Sequence, residues 1–282
     1  MIFTNFEKRW NNFWFAPFSP KILALFRIGL CTIVFSEVSR NPLVSSFLSG
    51  NEARYFANRF YSSYVSFLPP PPYWLFLAAA RLLFVFAFAG LIGLFTRESL
   101  LVTAALFFYL FFLNKFFYLN HFYSLGQALF LCALMPCAEV WSVDAWRKRG
   151  RAGRPPETVL SWAARLMQVM VSIIYIGSAT SKLYPEWLSG ESLKMLYEYR
   201  AINPPKIFAL IASLPFRWQA WLTIVTEYFL ALGLWLPPIL LPVLAGGLLF
   251  HIYMNSAMGI GQFSFQMFVY YLLFFPYKKK EV

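Results

Sequence analysis

Residues 73–95 form an apolar run interrupted by one charge, Arg81. It is bounded by Pro69-Pro70-Pro71-Pro72 before it and Thr96-Arg97-Glu98-Ser99 after it. Such a run is long enough to cross a bilayer as a helix, which takes about 20 residues. It is not alone. Apolar runs also cover about 20–38, 99–114, 120–138, 159–181, 218–236, 238–256 and 262–276. In a bilayer every backbone polar group must be satisfied within the segment or by neighbours, so runs of this length specify helices. The expected fold is all-α: a polytopic integral membrane bundle of about eight transmembrane helices. The composition agrees, being 60% hydrophobic and only 13% charged, where a soluble domain carries about a quarter charged residues. With 282 residues the chain accommodates one such bundle, a single transmembrane domain over 1–282, and no soluble domain of useful size.

The connecting segments have their own character. Residues 1–18, with Trp10, Trp14 and Phe15, read as an interfacial amphipathic stretch. Residues 39–72 are a long connection ending in the four prolines, which make a stiff extended stop. Residues 139–158 read as a loop, with Arg147, Lys148, Arg149, Arg151 and Arg154 crowded together. Residues 182–217 form an extracytoplasmic amphipathic region with short interfacial helices near 190–200 and 205–214. Basic residues in short loops mark the cytoplasmic side. Lys8-Arg9, the loop around Arg147–Arg154 and Lys278-Lys279-Lys280 fall on one side if there are eight spans. Both termini are then cytoplasmic. The same rule accounts for the net charge of +12 without nucleic acid, for which the chain carries no recognisable module. Cys31, Cys132 and Cys137 lie in or at the end of apolar runs and have no metal or disulfide-framework spacing.

In that topology Lys182, at the end of the fifth span, reaches the outer leaflet. So do His121, at the start of the fourth, and His251 with Asn255, in the last turns of the seventh. These are the chain's two histidines. Arg81 lies in the outer half of the second span. Ionisable groups inside a membrane are costly and mark function by default, although a lysine at a membrane edge also snorkels. In a dehydrated pocket desolvation disfavours a lysine's charged form, and a neutral lysine is a usable general base. Small residues before Lys182 (Ser178, Ala179, Ser181) leave room for other helices. His251 and Asn255 are four apart and share a helix face. Two histidines without a cysteine or carboxylate pair beside them make a poor metal set, so no metal is expected. Glu227 and Arg27, mid-span, read as buried ion-pair or hydrogen-bond anchors, and Trp141-Ser142-Val143-Asp144 as structural. There is no phosphate-binding glycine loop, nucleophile elbow or His-Glu-x-x-His helix.

Several segments carry a resemblance. Leu25-Phe26-Arg27, Gly93-Leu94 with Arg97, Asn120-His121 with Tyr123 and Gly126, and Trp141-Ser142-Val143-Asp144 occur in order. They are followed by Tyr175-Ile176 through Ser181-Lys182-Leu183, then Trp187 and Gly190, and by His251 with Met254-Asn255-Ser256 and Phe263-Ser264. In that order and spacing the chain resembles the transmembrane part of vitamin-K-dependent γ-carboxylases and the horizontally transferred transmembrane (HTTM) family of bacterial relatives.

The resemblance implies a membrane enzyme of the bacterial cytoplasmic membrane that uses a reduced quinone (vitamin K hydroquinone or menaquinol), oxygen and CO2. Lys182 would be the base that deprotonates the quinol, and His121 its partner. Asn120, His251, Asn255, Arg81 and Tyr175 are the expected substrate- or cofactor-binding residues. In the carboxylases the oxygenated quinone becomes a base that removes a γ-proton from a peptide glutamate, CO2 captures the carbanion, and quinone epoxide is released. Two departures bear on that chemistry. Ser181 stands where the animal enzyme has a second lysine, and no large extramembrane substrate-binding domain follows the eighth span. A small relative is expected to act on quinol alone, on another peptide, or with a partner chain. Some family members resemble sporulation-delaying protein B. That likeness gives an alternative reading as a non-catalytic membrane factor for maturing or exporting a secreted peptide.

Overall fold

The computed structural model describes residues 2–40, 72–113, 119–152, 155–200, 205–258 and 261–275. Most of the 39–72 connection and the lysine tail therefore lie outside the described residues. Helices occur at each of the eight expected segments. They are α2 (Pro20–Arg40), α3 (Tyr73–Ile92), α4 (Thr96–Leu113), α5 (Asn120–Ala133), α7 (Trp162–Thr180), α11 (Phe216–Gly233), α12 (Leu240–Met258) and α13 (Gln262–Tyr271). Between and before them lie α1 (Ile2–Trp14), α6 (Val143–Ala152), α8 (Pro185–Leu188), α9 (Glu191–Arg200) and α10 (Ala209–Ala212).

Three stretches of these helices are long and apolar enough to cross a membrane: Trp74–Ile92, Trp162–Thr180 and Pro237–Ser256. A fourth is reached if Lys206–Ala212 and Phe216–Gly233, bent by 105° at the break between them, count as one span. The ten residues of α13, at 1.5 Å per residue, cover only about half of a hydrocarbon core roughly 30 Å thick.

Two compact units divide the chain, with the boundary inside α7. The first comprises residues up to Leu166, with Phe275. In it α2 packs on α3, α3 on α4, α4 on α5, and α5 closes back onto α2. Leu23, Phe26, Leu30, Leu83, Leu100, Leu125 and Leu129 are fully or almost fully buried there. The turn from α3 to α4 is set by Gly93, at φ +70°. Its N–H donates to the Gly90 carbonyl and the Leu94 N–H to the Ala89 carbonyl, 2.8 Å, the paired bonds of a Schellman stop. A side chain at Gly93 would collide with Ser142 and with the Arg27 guanidinium. A two-residue antiparallel ladder, Pro17 with Leu160 and Phe18 with Val159, ties the chain ahead of α2 to the chain ahead of α7.

The segment expected to be the clearest loop is in part a helix. Residues 143–152 form α6. Ser142 caps it, its Oγ accepting from the Ala145 N–H at 2.8 Å. Asp144 caps α4 across space, accepting from the Phe95 N–H (3.0 Å), the Thr96 N–H (2.7 Å) and the Thr96 hydroxyl (2.7 Å). A run of basic residues does not prevent a helix when its first turn is fixed this well. The Trp141–Asp144 segment is structural, as the sequence suggested.

In the second unit, residues 167–274, α12 packs on α13 and on α11, while α8 and α9 lie against α11. The short helices α9 and α10 fall where interfacial helices were expected. Gly190, at φ +87°, makes the corner between α8 and α9. Its missing side chain admits the backbone of Phe216 and Arg217 at the start of α11.

Candidate active site

The stripe Tyr175, Ser178, Lys182 has i, i+3 and i+7 spacing, the first two on the last two turns of α7 and Lys182 just beyond its end. The helix ends at Thr180, and the chain continues in turn geometry, with the Lys182 N–H donating to the Ala179 carbonyl at 3.1 Å. The Lys182 side chain therefore folds back along its own helix instead of reaching outward. Its Nζ donates to the Ser178 carbonyl (3.0 Å), to Ser178 Oγ (2.7 Å), and to both oxygens of Glu227 (2.9 and 2.8 Å). Ser178 Oγ donates to Glu227 Oε1 at 2.9 Å, which closes a ring of three side chains. Side-chain exposure is 14% for Lys182 and 6% for Glu227. Trp187 lies below the ammonium, its ring centroid 5.6 Å away.

The charge of Lys182 is turned inward onto a carboxylate instead of snorkelling. Glu227, expected to be a buried ion-pair or hydrogen-bond anchor in the sixth span, is the partner in that pair, 2.8 Å from Nζ. Four acceptor contacts use all three ammonium protons. Ser178, expected to serve by being small, serves through its hydroxyl. Gly177, by contrast, faces open space, with nothing within 4 Å of where a Cβ would stand.

One and two turns before Lys182, the stripe joins a second polar cluster. Tyr175 Oη and His251 Nε2 are 2.7 Å apart, both side chains buried. Tyr175 Oη also hydrogen-bonds the hydroxyl of Tyr271 on α13. The Ser264 hydroxyl donates to the His251 backbone carbonyl at 3.1 Å, pinning α13 to α12. His251 Nδ1 is buried without a hydrogen-bond partner among the described residues. Asn255, one turn on, accepts from the Gly261 N–H at 2.8 Å and so holds the turn into α13. The structure thus brings Tyr175 and His251 together, and places Lys182 on the same stripe as Tyr175. Tyr271 was not singled out from sequence. A tyrosine in a tyrosine-rich helix gives no signal until its partner is known.

The remaining candidates belong to the first unit. Asn120 and His121 open α5. Asn120 is exposed, and His121 is half-buried, its ring edge-on to Phe122 at 4.6 Å, with its carbonyl accepting from Ser124. Arg81 lies on an exposed face of α3.

The second unit also holds a cavity of about 500 Å³ between α11 and α12. Its walls are mostly apolar (Phe208, Leu222, Phe229, Leu230, Leu249, Phe250), with Gln219, Thr223 and Tyr253 as polar groups. Gln219 Oε1 accepts from the Tyr253 hydroxyl at 2.9 Å, and the Tyr197 and Tyr253 hydroxyls are 2.8 Å apart.

Comparison with known families decides the affiliation. The family model of the HTTM domain matches residues 15–278, nearly the whole chain. The protein belongs to the HTTM family. That is the membrane family to which the likeness to the γ-carboxylases pointed, and the match takes in α2 through α13 and therefore both compact units. No solved structure matches the chain. The HTTM segment includes all of Asn120, His121, Tyr175, Lys182, His251 and Asn255, and also Glu227 and Ser178, which packing ties to Lys182, and Tyr271, which packing ties to Tyr175.

Proposed function

We propose that this HTTM protein is a membrane enzyme that takes a proton from a reduced quinone, with Lys182 and Glu227 acting as one unit. The observation that carries the reading is the buried, two-oxygen Lys182–Glu227 contact at the end of a membrane-length helix. An ion pair withdrawn from water is rarely retained for stability, since its desolvation offsets most of its attraction. Enclosed ionisable pairs are candidates for functional sites.

The fit to a quinone rests on the second unit's cavity. Its apolar walls suit a flat ring with a hydrocarbon tail, and Gln219, Thr223 and Tyr253 are the groups that would hold a polar end. Thr223, Thr226 and Leu230 line it on α11, the helix that also carries Glu227. When bound, a reduced quinone supplies an acidic hydroxyl and the electrons that oxygen takes.

The residues' own work is proton handling. With its three protons engaged, the ammonium of Lys182 accepts nothing. Its Nζ becomes a base when one proton crosses the 2.8 Å to Glu227 Oε2, leaving a neutral amine beside a neutral acid. A proton taken up at Nζ then restores the ammonium, with Glu227 still protonated. Ser178, bonded to both partners, holds their geometry through these steps. Tyr175, on the same stripe, and its hydrogen-bond partner His251 on α12 would orient a hydroxyl or pass a proton. His121, Asn120, Asn255 and Arg81 keep their proposed parts in assisting or binding, and CO2 capture on a peptide acceptor is the extension that the carboxylase likeness suggests. The wider reading is of eight spans with both termini cytoplasmic and the site on the outer side of a bacterial cytoplasmic membrane. It is supported by a helix at each of the eight expected segments and by the three basic clusters.

The test uses purified protein in lipid with menaquinol or vitamin K hydroquinone, oxygen and bicarbonate, and follows quinone epoxide by mass spectrometry. Epoxide is expected from the wild type and from neither Lys182→Ala nor Glu227→Gln. If well-folded wild type yields none with either quinol, the reading fails and the peptide-maturation partner takes its place.

A further inference from the structure

The quinol reading makes no use of the cysteines, yet two of them are built into one feature of the first unit. Cys132 occupies the last turn of α5, and Cys137 lies five residues on, where the chain folds back over the helix end. The Met135 N–H donates to the Cys132 carbonyl at 3.0 Å and the Cys137 N–H to the Met135 carbonyl at 2.8 Å. These turns bring the two sulfurs to 3.8 Å, with the Cys137 thiol also donating to the Cys132 carbonyl at 3.3 Å. A disulfide needs about 2.05 Å between sulfurs. The two sulfurs are therefore in contact without being bonded.

A second, independent feature adds charge. Arg27 is wholly buried. One guanidinium nitrogen, Nη2, donates to the Trp141 carbonyl, while Nε and Nη1 have no hydrogen-bond partner among the described residues. Among the described residues no carboxylate pairs with it. The carbonyl that Arg27 holds, that of Trp141, lies four residues past Cys137, so the charge sits beside the segment that carries this thiol. A buried cation lacking a counter-ion favours an anion beside it, and the thiolate is the reactive form of a cysteine. A third feature is access. Cys137 lines a cavity of about 300 Å³ together with Thr96, Arg97, Met135 and Trp162, and Cys132 does not.

We propose that Cys132 and Cys137 form a redox-active dithiol that closes to an intramolecular disulfide by exchange with a small disulfide compound. Cys137 is the attacking residue and Cys132 the resolving one. The Cys137 thiolate attacks one sulfur of R–S–S–R, forming a mixed disulfide and expelling one thiolate, which takes up the proton Cys137 lost. The Cys132 thiolate then attacks the Cys137 sulfur and expels the second, which takes up the proton of Cys132. Two protein thiols are oxidised by two electrons, and one external disulfide becomes two thiols. Arg27 is a positioning residue that favours the first thiolate.

The experiment incubates the full chain in lipid nanodiscs with oxidised glutathione, alkylates the remaining thiols, and maps peptides by mass spectrometry. In the wild type the peptide spanning 132–137 is expected to be two hydrogens lighter, and dithiothreitol reverses this. Cys132→Ala accumulates a glutathione adduct on Cys137, whereas Cys137→Ala gives neither product, and Cys31→Ala behaves as wild type. Arg27→Gln slows the first step about tenfold. If it fails to fold, the Cys132→Ala adduct still decides the order of attack. A folded wild type that keeps both thiols alkylatable overturns the proposal, and an adduct on Cys132 in Cys137→Ala overturns the assigned roles.

Discussion

Two buried cations are handled in opposite ways. In the second unit Lys182 faces Glu227 and Ser178, so that its ammonium, a carboxylate and a hydroxyl satisfy one another in a closed ring. In the first unit Arg27, more deeply buried still, has a single backbone carbonyl as its hydrogen-bond partner among the described residues. The guanidinium is the less strongly hydrated of the two cations and spreads its charge over a plane, so it survives burial with fewer partners. Lysine is a compact charge that shifts its proton readily, and proton chemistry needs that. The comparison teaches where to look for chemistry in such a bundle. Proton transfer is to be sought at the cation with an acid beside it, whereas the cation beneath a turn holds that turn and bears on the thiols it carries.

The largest expected effect comes from Glu227→Ala. It strands the Lys182 charge and should destabilise the protein by about 3–5 kcal/mol, read as a lowered melting temperature in detergent. Arg27→Met removes one charge-assisted hydrogen bond, worth about 1.5–3 kcal/mol, and strands no opposite charge, so it should cost less. A larger loss for Arg27→Met would reverse the comparison.

The double variant Lys182→Met with Glu227→Leu sharpens it. Removing both charges should return most of the stability lost in Glu227→Ala, with a coupling of roughly 2 kcal/mol or more, yet no quinone epoxide should form. Recovery of both stability and activity would make the pair structural only.

The turn over Arg27 is open to a different probe. At Gly93→Ala the new Cβ must displace Ser142 or the guanidinium, and φ is +70°. Overpacking of this kind costs about 1–3 kcal/mol, measurable by chemical denaturation in micelles.

The same turn has a pH signature. Partial burial pushes the Asp144 carboxyl up. The hydroxyl and N–H of Thr96, the Phe95 N–H and the charge of Arg147 together outweigh this and hold it below its ordinary value. Its contribution is therefore fully present above the unfolded value of about 3.9 and is lost as the pH falls through the lower folded one. Melting curves taken downward from pH 5 should show an acid limb that Asp144→Asn flattens, and an unchanged limb would remove Asp144 from the account.

The smallest effect is at Gly177→Ala, a helix position facing open space. There the swap should stabilise by about 0.5–1 kcal/mol, with epoxide formation unchanged.

How much of this was legible beforehand depended on range. The apolar runs placed the helices to within a few residues, because hydrophobic length and helix-breaking prolines act locally. The stretch 143–152 was misread, since its helix depends on a cap at Ser142 and on Asp144 reaching Thr96, forty-eight positions away. At the site, Lys182, Tyr175 and His251 could be singled out as ionisable or hydrogen-bonding groups in or beside apolar runs. Glu227 was noticed for the same reason and read as a buried ion-pair or hydrogen-bond anchor, which it is, but a charge mid-span announces that it needs a partner without saying which, so Lys182 was not identified as that partner. Tyr271 gave no sign at all.

The sequence by itself determined that this chain is helical and made for a membrane, since apolar length and the need to satisfy every backbone group leave no other regular structure for a single chain of such runs. It also determined the family, through residues spread over nearly its whole length. Only the tertiary structure decided which charges meet. The contact between Lys182 and Glu227 spans forty-five residues and that between Tyr175 and His251 seventy-six. Pairings of that range follow from the packing of α7, α11 and α12 against one another, and no spacing along the chain encodes them.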